Sequence, residues 1–462
     1  MNIFYIITAL LVLIMQILIK KNDEKESLIK WITFSMLIFM AYNIVIVVVM
    51  SFFNIKSTLI NLSIINIITS VILGFKIYSD KKIQKYNFEK REILAIMLFA
   101  IFAILIGIKI YGIPFEIKYK VSDASTHCLA ARLFAENMQL LFKLNVDGIY
   151  MLGLQFLAPG AYINNGILMN IFSGITSNTY LYIYYIIFDL FNLYLSGMLM
   201  YNLLNRNKNV NPIIPYVLSI IYMISYPLSS IISGFAYLTL GLNFIIGILI
   251  VFKEKINEYY KMLLLFLLDF AIIFTYYYFA PIIYLAVFVQ IIAEIISKKE
   301  KLFCSKNILK VLTTLILPGI FAIVYYFILQ YFQNKNNIFS MYSSVISTPG
   351  PIYKNIITNI IPFLIFCIIY IINSFKERKI ISENIMSLIT AIVIVALFIG
   401  NHFGVVSEYY NYKVYYLLWM CIVCMAYNGF TLILSKNKIW KNILYGLLRN
   451  ILSRSCNFFY LE

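Results

Sequence analysis

The stretch ILAIMLFAIFAILIGIKI, Ile93 to Ile110, carries one charge, Lys109, beside its end. At 1.5 Å rise per residue such a run makes a helix of about 27 Å, close to the roughly 30 Å hydrocarbon core of a bilayer. Runs of this kind recur along all 462 residues, of which 62% are hydrophobic and only 12% charged. Soluble domains carry nearer 25% charge. Only helices and closed barrels satisfy their backbone groups in lipid, and long unalternated runs exclude the barrel. The expected fold is therefore an all-α polytopic membrane protein.

Working outward from that stretch, the expected spans before it are Asn2–Ile19, Trp31–Phe53 and Thr58–Phe75. Those after it are Tyr180–Leu204, Ile213–Ile232, Phe235–Phe252, Met262–Thr275, Pro281–Ile296 and Val311–Gln330. Ile356–Phe375, Ile385–Ile399 and Val414–Leu434 complete a set of about 13 transmembrane helices. The net charge of +17 would suggest nucleic acid in a soluble protein. Here roughly 28 of the 37 Lys and Arg fall in loops that this alternation puts on one side, the positive-inside pattern. The N-terminus is then outside, the C-terminus cytoplasmic, and no nucleic-acid partner is expected. Asn2–Ile19 has neither a basic leader nor a small-residue cleavage site, so a retained first helix is expected. Six scattered cysteines indicate no disulfide framework, and Cys421 and Cys424 read as packing residues.

The division read from this pattern is an N-terminal three-span module (1–92), a membrane core (93–435) and a cytoplasmic tail (436–462), in which 440–452 reads as a surface helix. The core contains an outer loop, 111–179, with few charges. A helix is expected over Ala124–Leu144, because Arg132, Glu136, Gln139 and Lys143 make a polar stripe opposite Leu133, Phe134, Leu140 and Leu141. After it, Pro159-Gly160 and Asn165-Gly166 read as turns.

The chain has two histidines, and Ser122-Asp123-Ala124-Ser125-Thr126-His127 sets one of them four residues after an acid at the head of that helix. An i, i+4 pair shares a helical face. At about 100° per residue this face lies away from the charged stripe, towards protein or lipid, where an ionised carboxylate needs a reason. Asp123 is a candidate general base and His127 its orienting or binding partner; helix capping is the plain alternative. The second cluster is His402, Glu408, Tyr410 and Lys413, at the outer mouth between two spans. Tyrosines there could flank a sugar and Lys413 hold a phosphate, or the group is an ordinary interfacial belt. Lys118, Lys120 and Lys354 are further phosphate candidates. Asp189 and Asp269 fall near mid-span, where acids suggest a proton relay or a polar packing contact. No nucleotide, haem or zinc motif stands out; no cofactor is assigned, and a divalent cation is left open.

A span, then an outer loop with an acid near its start and surface-lying helices, then many further spans: in this order Ile93–Ile110, Asp123 and Ala124–Leu144 resemble the GT-C superfamily of integral-membrane glycosyltransferases. The segment Val405–Trp419 is similar to one in Gram-positive envelope proteins of that general type. The resemblance implies transfer of a sugar from a polyprenyl-phosphate donor to a glycan acceptor at the outer leaflet of a bacterial cell membrane. Other readings of the same residues are an envelope-polysaccharide polymerase, ligase or transporter, or a non-catalytic scaffold.

Overall fold

The computed structural model describes residues 2–113, 122–144, 154, 157–173, 182–205, 213–301, 303–329, 356–377 and 382–436. The helices in order are α1 (Asn2–Leu18), α2 (Leu28–Phe52), α3 (Leu59–Asp80) and α4 (Lys90–Tyr111). Two shorter ones from the long connection follow, α5 (Ser122–Asn137) and α6 (Pro159–Phe172). Then come α7 (Tyr182–Leu204), α8 (Ile213–Ile224), α9 (Tyr226–Ile232), α10 (Ala236–Lys253), α11 (Glu258–Thr275) and α12 (Ala280–Ser297). α13 (Ser305–Val311) and α14 (Leu317–Ile323) are joined through a widened π turn, Leu312–Ile316, next to Pro318, which cannot donate to the preceding turn. α15 (Ile356–Glu377), α16 (Ser382–His402) and α17 (Glu408–Lys436) complete the bundle.

Among the described residues ten helices, counting α8 with α9 and the α13–α14 segment as one each, are long and apolar enough to cross a membrane. This is a multi-pass membrane architecture. Two of the expected spans differ: α1 is short, with 17 residues, and α11 carries Glu258, Lys261 and Asp269. The outer helices show what surrounds them. Ile64, Ile68 and Ile72 of α3, Ile101, Ile104 and Leu105 of α4, and Leu388, Ile392, Val395 and Phe398 of α16 all project outward. Apolar surface on that scale is a lipid-facing surface rather than a water-facing one.

Inside, α10 is buried along nearly its whole length between α7 and α11. Its Asn243 accepts from Ser196 Oγ at 2.7 Å and donates to the Asn192 carbonyl at 3.0 Å, polar bonds that hold helices together where burial of apolar surface gives no preference. α15 and α17 meet backbone to backbone: a Cβ on Gly429 would lie 2.1 Å from the Phe366 carbonyl oxygen. One apolar core runs from Tyr5 in α1 to Phe430 in α17, so the first three helices pack into the same body as the rest.

The loops sort to two ends. At one end Glu26–Ser27 pairs in parallel with Tyr86–Asn87, Asn22 Nδ2 donates to the Lys255 carbonyl at 3.1 Å, and Lys253 pairs with Glu383. The basic loops after α1, α3 and α10 and the start of α16 therefore share one face of the bundle. At the other end Ser57 N donates to the Met138 carbonyl at 2.8 Å, and Lys143 Nζ reaches Asn54 Oδ1 at 3.2 Å.

The long connection corrects two expectations. The helix expected to Leu144 stops at Asn137, where Met138 takes φ 49°, and a tight turn at Leu141–Lys143 follows. The break lets Lys143 leave the polar stripe and tie the connection to α2 through Ser51 and Asn54. Asn165-Gly166, expected as a turn, lies inside α6, where the glycine admits a neighbouring backbone: a Cβ there would sit 2.7 Å from the Ala131 carbonyl oxygen. Pro159 opens α6, since a helix's first turn has no use for its missing N–H. α5 buries Ala130, Ala131, Phe134 and Ala135 against protein, largely α6, and keeps its Arg132–Glu136 pair, 2.8 Å apart, exposed.

Candidate functional site

At the end of the bundle away from the basic loops, α5 begins against the corner between α9 and α10. Gly234 turns that corner with φ +78°, and a Cβ on it would fall 2.5 Å from Ala124 N. The contact sets Asp123 in the first turn of α5, where a carboxylate also meets the favourable end of the helix dipole. Burial pushes the Asp123 carboxyl above its ordinary range, with nearby Lys413 opposing it. His127, one turn on, packs its ring 4.6 Å from that of Tyr237 rather than hydrogen-bonding Asp123. Burial, reinforced by the charge of Lys413, pushes His127 down to about 3, so the imidazole is neutral near pH 7.

Lys413 comes from the first turns of α17 and is only 6% exposed. Its ammonium donates to Tyr237 Oη at 3.0 Å and lies over the rings of Phe235 and Tyr409, 4.2 and 4.3 Å from their centroids. Tyr237 and Tyr276 at 5.6 Å and Tyr410 at 6.0 Å complete an aromatic cage. Aromatic faces attract a desolvated cation, and Asp123 supplies the opposite charge that acts on it. The result is a caged, buried lysine whose nearest opposing charge is a partly buried carboxylate, with a neutral imidazole between helices.

Of the residues expected at the site, Asp123, His127, Tyr410 and Lys413 converge, Tyr410 through Lys413 and through a 5.0 Å ring contact with Tyr278. His402 and Glu408 do not join them. His402 is exposed and touches Phe403, and Glu408 faces out, accepting from Tyr412 Oη at 3.0 Å. Lys118, Lys120, Lys354 and the tail helix 440–452 lie outside the described residues. The sequence reading missed Gly234, Phe235, Tyr237 and Tyr276. A signal existed, since these lie at the short corners between spans, but in a chain with 38 tyrosines and 37 phenylalanines aromatic residues carry little information singly.

Next to the cage, an apolar groove of 500 Å³ runs between α11, α12 and α14, lined by Ile273, Tyr277, Ala280, Tyr284, Ile323 and Phe327. Ile323 and Phe327 are about half exposed, so the groove opens on the lipid-facing surface. Tyr276 of the cage and Tyr277 of the groove are sequence neighbours with ring centroids 6.5 Å apart. Of the mid-span acids, Asp189 is beside Tyr111 and Asp269 beside Tyr284 of the groove, both buried, each with a carboxylate oxygen lacking a hydrogen-bond partner. Among the described residues no group of three or more His, Cys, Asp or Glu side chains is placed to hold a metal. No protein-family model, curated protein or solved structure matches this chain.

Proposed function

We propose that the protein is a GT-C-like glycosyltransferase that moves a sugar from a polyprenyl-phosphate donor to an envelope glycan at the outer leaflet of a bacterial cell membrane. The observation that carries this reading is the meeting of Asp123 with the caged Lys413 beside a groove open to lipid. In this reading the full set of 13 spans crosses the membrane, and the basic loops face the cytoplasm.

The chemistry follows from the charges. Asp123 takes the proton of an acceptor hydroxyl as its oxygen attacks the anomeric carbon. The bond from that carbon to the phosphate oxygen breaks, and polyprenyl phosphate leaves with the electron pair. Lys413 is already in place to balance the charge that grows on the leaving phosphate, which is the kind of preorganised electrostatics that lowers such barriers. A carboxyl raised by burial is a better base than an ordinary surface aspartate. The groove takes the apolar tail, and Tyr237 and His127 hold Lys413 and the head of α5 in register.

Purified protein given candidate polyprenyl-phosphate sugars is expected to release polyprenyl phosphate, and Asp123→Asn to abolish release while the protein still folds. Undiminished transfer by folded Asp123→Asn protein overturns the assignment.

A further inference from the structure

At the opposite end of the bundle, α4 begins with Lys90, and its 22 residues put that end roughly 30 Å from Tyr111. Here a polar cavity of 340 Å³ lies among the starts of α2 and α4 and the ends of α7 and α10. Its size suits a small polar ligand. Three of its lysines are occupied. Lys30 Nζ holds Glu26 at 2.5 Å and Glu254 at 3.1 Å, Lys253 pairs with Glu383, and Lys255 lies 3.9 Å from Glu24.

Three other buried polar atoms of the wall have no hydrogen-bond partner among the described residues. Glu92 is 4% exposed, yet its Oε2 accepts no hydrogen bond, and Asn87 Oδ1 is likewise buried and unmet. Asn202, 5% exposed, has an Nδ2 that donates to nothing. Buried polar atoms left unpaired are costly, and a group of them lining one cavity marks hydrogen bonds that something else completes. Two acceptors, one of them a carboxylate, call for a donor-rich cation; the lone donor calls for an anionic oxygen. At the rim Lys25 and Arg91 are exposed and lack a partner among the described residues, adding positive charge for the same anion. We infer that this cavity binds a primary ammonium joined to a phosphate, the chemistry of phosphoethanolamine, with the ammonium on Glu92 and Asn87 and the phosphate on Asn202, Arg91 and Lys25.

A phosphatidylethanolamine headgroup from the adjoining leaflet and a soluble phosphoethanolamine compound present the same groups. The test uses delipidated full-length protein and reads thermal stability. One arm reconstitutes it in nanodiscs of phosphatidylglycerol with added phosphatidylethanolamine or phosphatidylcholine; the other titrates free phosphoethanolamine or phosphocholine in detergent. A saturable rise in Tm with the ethanolamine compound and not with its choline counterpart supports the site, because the trimethylated nitrogen has no N–H to give. A rise only in nanodiscs assigns the lipid, and a rise with the free compound assigns a soluble ligand. Glu92→Gln is expected to raise the half-saturating concentration at least 10-fold, and the exposed Arg91→Ala, which leaves the buried wall intact, to do likewise if Glu92→Gln fails to fold. No shift in either arm, equal shifts with choline, or unchanged half-saturation in the variants overturns the inference. None of these readouts depends on glycosyl transfer.

Discussion

Gly234→Ala tests how the candidate site is assembled. Gly234 has φ +78°, a conformation that costs a non-glycine residue about 1–2 kcal/mol. The new Cβ would also stand 2.5 Å from Ala124 N and 3.1 Å from Ala124 Cα. Reaching an ordinary contact of 3.4 Å requires the start of α5 to retreat by about 0.9 Å, and the atoms in the way are backbone, with no rotamer to swing aside. Overpacking of this kind adds about 1–3 kcal/mol, for a total loss of about 2–5 kcal/mol. Asp123 is the residue before Ala124, so the retreat draws its carboxylate from Lys413. A displacement near 1 Å at a reacting centre lowers turnover about 100-fold. Unfolding in mixed detergent micelles reads the first effect and release of polyprenyl phosphate reads the second. Stability within about 0.5 kcal/mol of the parent would refute the argument that Gly234 is required by the approach of α5.

Acidification is expected to unload His127's contribution. Its unfolded pKa is 6.5 and burial lowers the folded value to about 3, so between these the unfolded chain binds a proton that the folded one refuses. Stability from this group is complete above pH 6.5 and falls below it at up to about 1.4 kcal/mol per pH unit, less for the part of the ring that water reaches. Asp123, whose folded carboxyl is raised, acts in the opposite sense, gaining as pH falls; comparison of Tm against pH with His127→Gln isolates the histidine, and identical slopes between pH 6 and 4 would contradict it. Two glycines make a further pair. Gly429→Ala drives a Cβ against the Phe366 carbonyl and is expected to destabilise the α15–α17 contact by about 1–3 kcal/mol, whereas Gly74→Ala in α3, with nothing within 4 Å, should gain about 0.5–1 kcal/mol from helix propensity. Equal Tm shifts for the two would remove the distinction.

Much of the architecture was legible because bilayer thickness imposes a length on apolar runs and loop charge imposes an order on their ends. The basic loops after α1, α3 and α10 do gather at one end, as the pairing of Glu26 with Tyr86 and of Lys30 with Glu254 shows. Local signals failed where tertiary contact overrode them. Asn165-Gly166 looks like a turn, yet its glycine serves a close approach of two helices; Lys143 looks like part of a polar stripe, yet it leaves the helix to bind α2. At the site, periodicity pointed Asp123 and His127 inward, but no pattern in one chain reveals which distant residues meet them. Lys413 and Tyr237 are 176 residues apart in sequence. His402 and Glu408 shared a polar loop with Lys413, and that proximity in sequence was misleading: Lys413 turns under the aromatic cage while Glu408, at the outer end of α17, stays in contact with Tyr412.

The caged lysine sets up one more test, because a buried cation is held at a cost that its surroundings must offset. Its ammonium makes one hydrogen bond among the described residues, to Tyr237, and the rest of its compensation is ring faces and the field of Asp123. Asp123→Asn therefore removes more than a base: it ends the attraction that offsets the burial of the ammonium, a penalty set against the relief of no longer burying a carboxylate. Lys413→Met keeps the length of the side chain and suits an aromatic cage, where thioether contacts are favourable. Exchanging a buried charge for an apolar group of similar volume is often neutral. In the double variant the reason for the Asp123→Asn penalty is gone, so the two changes should couple by about 0.5–3 kcal/mol in the direction of recovery, as neighbouring groups do. Transfer should not recover with it, since neither the base nor the charge for the leaving phosphate remains. Stability that returns without activity separates the electrostatic balance of the fold from the chemistry. Additive losses, to within about 0.5 kcal/mol, would mean that Asp123 and Lys413 do not act on each other, and the site would reduce to two unrelated residues.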